Sequence, residues 1–177
     1  MNKHIVWLFS LLVFVLAGCE KDEIGGTATE ALAGEWYVTV DAVDEGSNVV
    51  AEDCFGLGYI HMNTYNTAAD TQAEMYVDDL KNFWDFKVRV SSDVNAMTFA
   101  TNGAMPNESY EGCDVTIDGG KILLEAATTP HGTPADSIVY YVSFSDDEPG
   151  MRYKVSGYRY TGPVSYTHLT LPTKRIV

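Results

Sequence analysis

The sequence predicts an all-β domain, an eight-stranded up-and-down antiparallel barrel or a related sandwich. Three observations carry that expectation. Several segments alternate apolar and polar residues with period two, and turn signals rich in Gly and Asp separate them at hairpin distances. Aromatic residues make up 12% of the chain, too many for a disordered acidic segment.

The elements follow in order. Gly25 to Thr29 reads as a flexible tether. From Gly34 onward, Trp36, Val38, Val40 and Ala42 share one face while Tyr37, Thr39 and Asp41 share the other. Leu57 to Tyr65 is the second candidate strand. In the third, Trp84, Phe86, Val88 and Val90 alternate with Asp85, Lys87 and Arg89, so Trp84 and Phe86 are expected to point inward and Lys87 and Arg89 to solvent. Ala96 to Thr101 is the fourth. Cys113, Val115 and Ile117 form a fifth strand leading into Asp118-Gly119-Gly120-Lys121, a tight-turn signal, with Ile122 to Ala127 as the returning sixth. Ile138, Tyr140, Val142 and Phe144 alternate in the seventh, and Asp146-Asp147-Glu148-Pro149-Gly150 turns the chain into the eighth, Met151 to Thr161. Ala68 to Asn82 resists this reading: its Ala73 to Leu80 stretch suits a helical turn or a ligand-facing loop.

Ahead of the domain, Lys3 and His4 precede an apolar run from Ile5 to Ala17. Crossing a bilayer as a helix takes about 20 apolar residues, so this shorter run reads as the core of a signal peptide over residues 1–18. It ends in Leu16-Ala17-Gly18-Cys19, which resembles a bacterial lipobox; Cys19 would be lipidated and become the first residue after cleavage. Residues 19–31 would form the tether, and its acidic start, Glu20-Lys21-Asp22-Glu23, resembles a signal for surface export. An outer-membrane lipoprotein held by its acyl chains is the expectation, exposed at the cell surface if the acidic stretch acts as that signal and facing the periplasm if it is only a solvated tether.

Charge narrows the partners. Residues 19–162 hold all 25 acidic residues and 8 basic ones, a net charge of −17. Such a surface has nothing to neutralise phosphates, which argues against nucleic-acid binding. Two cysteines remain beyond Cys19. A Cys54–Cys113 disulfide is permitted outside the inner membrane and would contribute about 4 kcal/mol in the chain-entropy model. Two free buried thiols are the alternative, and the spacing does not choose between them. No Cys/His spacing suits zinc, and neither a metal nor a cofactor is expected.

Gly34-Glu35-Trp36 resembles the G-x-W signature of lipocalins, the best known calycins, in which the tryptophan closes one end of the barrel, often under an arginine from the last strand; Arg159 sits where that partner would come. Three longer stretches resemble a narrower family. These are Tyr65 to Ala69, Ala127 to Pro130 with Pro134 to Ile138, and Tyr153 to Arg159. They are similar to the lipocalin-like lipoproteins of the Bacteroidetes described as lipid-binding putative hydrolases, and the likeness covers most of residues 32–162. The resemblance implies a barrel with an apolar cavity for a lipid-like small molecule. Trp36, Trp84, Phe86 and Arg159 are then the candidates for ligand contact or barrel lining.

Catalytic signals are thin. His61 and His131 are the only histidines between the signal and the tail, and there is no G-x-S-x-G elbow or H-E-x-x-H pair. Ser137, His131 and Asp136 could be assembled into a triad, but they are neighbours in a loop rich in Pro and Gly, and geometry defines a triad. Asp114, Asp118 and Glu125 read as a solvated outer face. Three functions stay open: a binding module for a lipid-like ligand, a hydrolase acting on such a substrate, and an accessory lipoprotein with a filled barrel and a protein partner the sequence does not name. Residues 163–177 stand apart. Val164 to Thr173 resembles the in-frame translation of a sequencing adapter, and the tail lacks acidic residues, so it is expected to be no part of the domain.

Overall fold

The computed structural model describes residues 26–161. Cys19, the signal segment and the adapter-like tail from residue 163 onward lie outside them. Ten strands follow one another: β1 (Gly34–Val43), β2 (Val49–Ala51), β3 (Ile60–Asn66), β4 (Glu74–Asp78), β5 (Lys87–Asp93), β6 (Thr98–Ala100), β7 (Met105–Pro106), β8 (Asp114–Thr128), β9 (Pro134–Phe144) and β10 (Tyr153–Arg159). Eight of them form the barrel wall, in the antiparallel order β1-β3-β4-β5-β6-β8-β9-β10. The wall closes because β10 returns to β1 along its whole length, from Trp36 opposite Arg159 to Ala42 opposite Tyr153. Closure leaves no free sheet edge among these strands to template aggregation. β2 and β7 are short additions that pair with β1 and β8.

Alternation builds the core. Trp36, Val38, Val40 and Ala42 of β1, Met75 and Val77 of β4, Val88 and Val90 of β5, and Ile138, Tyr140, Val142 and Phe144 of β9 are all buried inside the wall. Closure also demands a close approach that only glycine permits. A Cβ on Gly157 would stand 1.9 Å from the Tyr37 carbonyl oxygen and 2.6 Å from Val38 Cα, both backbone atoms that cannot swing away.

The expected strand count is met, but two of its members change. Asp118 to Lys121 is no hairpin turn: β8 runs straight through it as one strand, and the extra residues form a bulge against β9. Gly119 supplies the positive φ (61°), and the missing Cβ of Gly120 makes room for the Phe99 ring, whose nearest carbon would lie 2.5 Å from it. The lost strand is replaced by β4, which arises in the Ala68 to Asn82 stretch where a helical turn or loop was expected. There Met75 and Val77 alternate with Glu74, Tyr76 and Asp78, and both neighbouring strands accept the pairing. The third expected strand begins at Lys87 rather than Trp84, because residues 79–86 are wound around a buried carboxylate described below. Cys54 and Cys113 are free thiols, so of the two alternatives the disulfide is the one not formed. The Cys54 thiol faces the Val40 carbonyl oxygen (3.5 Å) and the Cys113 thiol that of Asp114 (3.7 Å).

Candidate functional site

The two ends of the barrel differ, and the difference locates the site. At the end where β1 begins, Trp36 and Leu32 are fully buried. The Trp36 indole N–H donates to Thr64 Oγ1 (2.9 Å), whose hydroxyl donates to the Leu32 carbonyl (2.6 Å). Arg159 lies with its guanidinium carbon 4.6 Å from the centre of the Trp36 ring. Its remaining capacity is used locally. It donates to the carbonyls of Ala33 and Ala31, and its Nε lies 3.0 Å from an Asp136 carboxylate oxygen. Ring, carbonyls and carboxylate fix the guanidinium at this end, although its buried Nε has no aligned hydrogen-bond acceptor. This end is sealed.

Between the ends the interior is filled. The Tyr140 hydroxyl, from β9, donates to Met62 Sδ on β3 (3.3 Å), and the Phe99 ring from β6 reaches within 5.8 Å of the Tyr140 ring. Side chains from three separated strands thus meet across the middle. An eight-stranded barrel has room for this or for one small ligand, not for both at once.

The opposite end is closed by aromatic rings on loops rather than by the wall. Asp79, 2% exposed, organises it: one carboxylate oxygen accepts the backbone N–H groups of Lys81 and Phe86, the other those of Phe83, Trp84 and Asp85, at 2.7–3.1 Å. Burying a carboxylate is costly unless its lone pairs are met, and these five bonds meet them. They also hold Leu80, Lys81 and Asp85 at positive φ, which an unsupported loop would avoid. Asn107 ties in the neighbouring loop, accepting from Lys87 N (3.0 Å) and donating to the Asp85 carbonyl (3.2 Å).

The loop built in this way lays Phe83 and Trp84 over the mouth. Trp84 stacks on Phe144 with ring centres 4.6 Å apart and planes 4° from parallel, and Phe83 packs edge-on against Phe144 and Tyr153. Phe55 leans on Phe83 from the β2–β3 connection and stays 41% exposed. Phe86 lies beneath, fully buried. Two aspartates pin the rings: Asp146 accepts from the Trp84 indole (3.1 Å) and the Tyr110 hydroxyl (2.6 Å), and Asp147 accepts from the Tyr153 hydroxyl (2.7 Å). The Tyr110 bond holds the Asp146 carboxyl below its ordinary range, and burial raises the Tyr153 phenol. Around the mouth, Val50, Leu57, Leu80 and Met151 are exposed, an apolar rim beside half-buried rings.

Among the residues singled out in the sequence, the structure brings Trp84 and Phe86 together at this cap and sets Trp36 with Arg159 at the far end. It does not assemble a triad. The Ser137 hydroxyl donates to the Gly157 carbonyl (2.9 Å), Asp136 is occupied by Arg159, and His131 is exposed in the β8–β9 loop. His61 sits on the outer wall, its ring 4.0 Å from that of Tyr37. No hydroxyl or carboxylate among the described residues hydrogen-bonds either histidine. A cavity of about 380 Å³ opens on the outer wall, between Ser91, Asp93, Phe99, Gly120 and Lys121, where three-residue β6 leaves the wall thin. It is open to solvent and separate from the capped mouth. Asp79, Phe83, Asn107 and Phe55 were not visible as site residues from sequence. The Asp78-Asp79-Leu80-Lys81-Asn82 run of turn-forming residues directly before Phe83 and Trp84 was the available signal.

A closed antiparallel barrel, plugged by Trp36 under Arg159 and capped by aromatic loops at the other end, is a lipocalin-like binding scaffold. The chain belongs to the lipid-binding putative hydrolase family, whose sequence profile matches residues 21–163. Among curated proteins, none matches the chain.

Proposed function

We propose that this protein is a cell-envelope lipoprotein, anchored through Cys19 in the outer membrane and exposed at the surface, that takes a lipid-like ligand through the aromatic-capped end of its barrel. The observation that carries the reading is the cap itself. Exposed Phe55 and half-buried Phe83 and Trp84 sit on loops inside an apolar rim, over a barrel lined by aliphatic and methionine side chains. Met62 and Met75, unbranched and adaptable, lie deep in the interior toward the Trp36 end, where they can repack around the end of an entering chain. Because the interior is filled, uptake requires the rings of the cap to swing aside and core side chains to repack around the ligand.

Charge refines the ligand class. The mouth carries Asp146, Asp147 and Glu148, and Arg159 is spent at the other end. A neutral or cationic head group therefore suits this mouth better than a carboxylate, which the aspartates would repel. The test is a titration of the mature domain with a monoacylglycerol and, separately, with the corresponding fatty acid, read by tryptophan emission. A saturable change at one ligand per chain, tighter for the neutral amphiphile and absent in Trp84→Phe, is expected. No saturable change, with no lipid seen by mass, would overturn the reading. It would favour an accessory lipoprotein, which the filled interior also supports.

The anchor has its own test. Each acyl chain carries over a dozen methylenes at about 0.8 kcal/mol apiece, so Cys19→Ala should release the chain from the membrane fraction. Retention of the processed variant would contradict the anchor.

A further inference from the structure

The anchor and the mouth leave the domain at opposite ends, and the β8–β9 hairpin lies at the anchor's end. Resting on the reading of Cys19 as the lipidated residue, we propose that this hairpin seats on the membrane that holds the acyl chains, with Leu123 and Leu124 dipping into the lipid surface. The aromatic cap then points away from that membrane.

The first support is connectivity. The N-terminal segment enters the domain at the sealed end: Ala28 N donates to Asp70 in the β3–β4 connection, and Arg159 holds both the Ala31 and Ala33 carbonyls and, on the hairpin, Asp136. Asp136 in turn accepts from the backbone N–H of Glu125 (3.0 Å), next to the two leucines. Entry segment and hairpin are thus joined through one arginine.

The second is reach. Only seven residues lead from Cys19 to Gly26, and a fully extended chain covers at most about 3.6 Å per residue, roughly 25 Å in all. Tilted about 40° to the barrel axis, the ten residues of β1 still rise about 25 Å from one end to the other, so the tether would be fully spent in bringing the cap to the bilayer.

The third is the surface of the hairpin. β8 pairs with β6 as far as Lys121 and bonds Met97 once more through Ile122 N, β9 stays on β10 as far as Ser137, and only past Leu123 and Ser137 do the two arms leave the wall. There the alternation of β8 breaks at the Glu125 bulge, and Leu123 and Leu124 are left 45% and 66% exposed. From Lys121 to Ala135 the hairpin carries a single acidic residue, Glu125, balanced by Lys121, in a domain otherwise strongly negative. Its charges cancel, so an anionic lipid surface repels it little.

Full-length lipidated protein, reconstituted in phosphatidylethanolamine–phosphatidylcholine vesicles containing brominated acyl chains, tests this with a polarity-sensitive fluorophore. The probe is placed by Leu124→Cys or, at the cap, by Val50→Cys, each in a Cys54→Ala, Cys113→Ala background. At position 124 the probe should shift to the blue and be quenched several-fold more than at position 50. A water-exposed, unquenched probe at 124 on protein that floats with the vesicles would overturn the proposal, as would stronger quenching at 50. Failure of the anchor shows differently: no acyl mass on Cys19 and no flotation, which removes this proposal's premise and the proposal with it.

Discussion

Five backbone amides converge on the Asp79 carboxylate, and the aromatic cap is laid out by the loop they define. Asp79→Asn keeps the shape but turns an NH2 group toward amides that need an acceptor. Leaving buried donors unmet costs about 1–3 kcal/mol each, so a loss on the order of 3 kcal/mol is expected in denaturant melts, with Trp84 emission shifting to the red. An unchanged midpoint would show that the loop does not depend on this carboxylate. Asp146 acts on the same rings from the other side. Its folded-state pKa lies below the ordinary value of 3.8, chiefly because the Tyr110 hydroxyl donates to it. A depressed carboxylate contributes stability above its unfolded-state pKa and loses it as pH falls through the folded value. Acidification below about pH 4 should therefore loosen Trp84 before the barrel unfolds, and Asp146→Asn, which keeps an acceptor without the titration, should abolish that early step in an emission–pH profile.

The strands that were legible in the sequence are those whose inward and outward residues differ over a long run. β1 shows Trp36, Val38, Val40 and Ala42 against Tyr37, Thr39 and Asp41, and β9 is as plain. β4 was not, because five residues give only Met75 and Val77 as a signal, set in a polar and acidic stretch. Gly119-Gly120 misled for a different reason. The same residues serve a hairpin turn and a bulge, and what decides is nonlocal: Phe99, on another strand, fills the space over Gly120. Of the cap only Trp84 and Phe86 were legible, because its organiser is a buried aspartate within a run of polar residues. Trp36 with Arg159 was readable only through a family likeness, since Gly-x-Trp by itself marks many strands. At this scale Gly157 provides the sharpest test. Gly157→Ala drives a methyl into the β1 backbone, which overpacking arguments place at 1–3 kcal/mol or somewhat more. Thermal melts should show a clear drop in midpoint, and amide exchange should speed along β1 and β10 first. Exchange unchanged there would mean that closure tolerates a wider gap.

For the molecule as a whole, a sealed end, a filled middle and a corked mouth describe a barrel at rest, in which a ligand competes with the protein's own side chains for the interior. Such a barrel binds only what offsets the repacking, which favours long apolar chains over small polar ligands. The charge of −17 on residues 19–162 disfavours nucleic acids and anionic surfaces as partners, and the proposed anchor and near-neutral hairpin would then set where the domain sits. The most direct test is native mass spectrometry of the mature domain purified from its own host without detergent. The account predicts a population heavier by one lipid of neutral or cationic head group, lost on organic extraction and restored when that lipid is added back to the wild type but not to Trp84→Asp. A single bare mass that takes up no added amphiphile would contradict it.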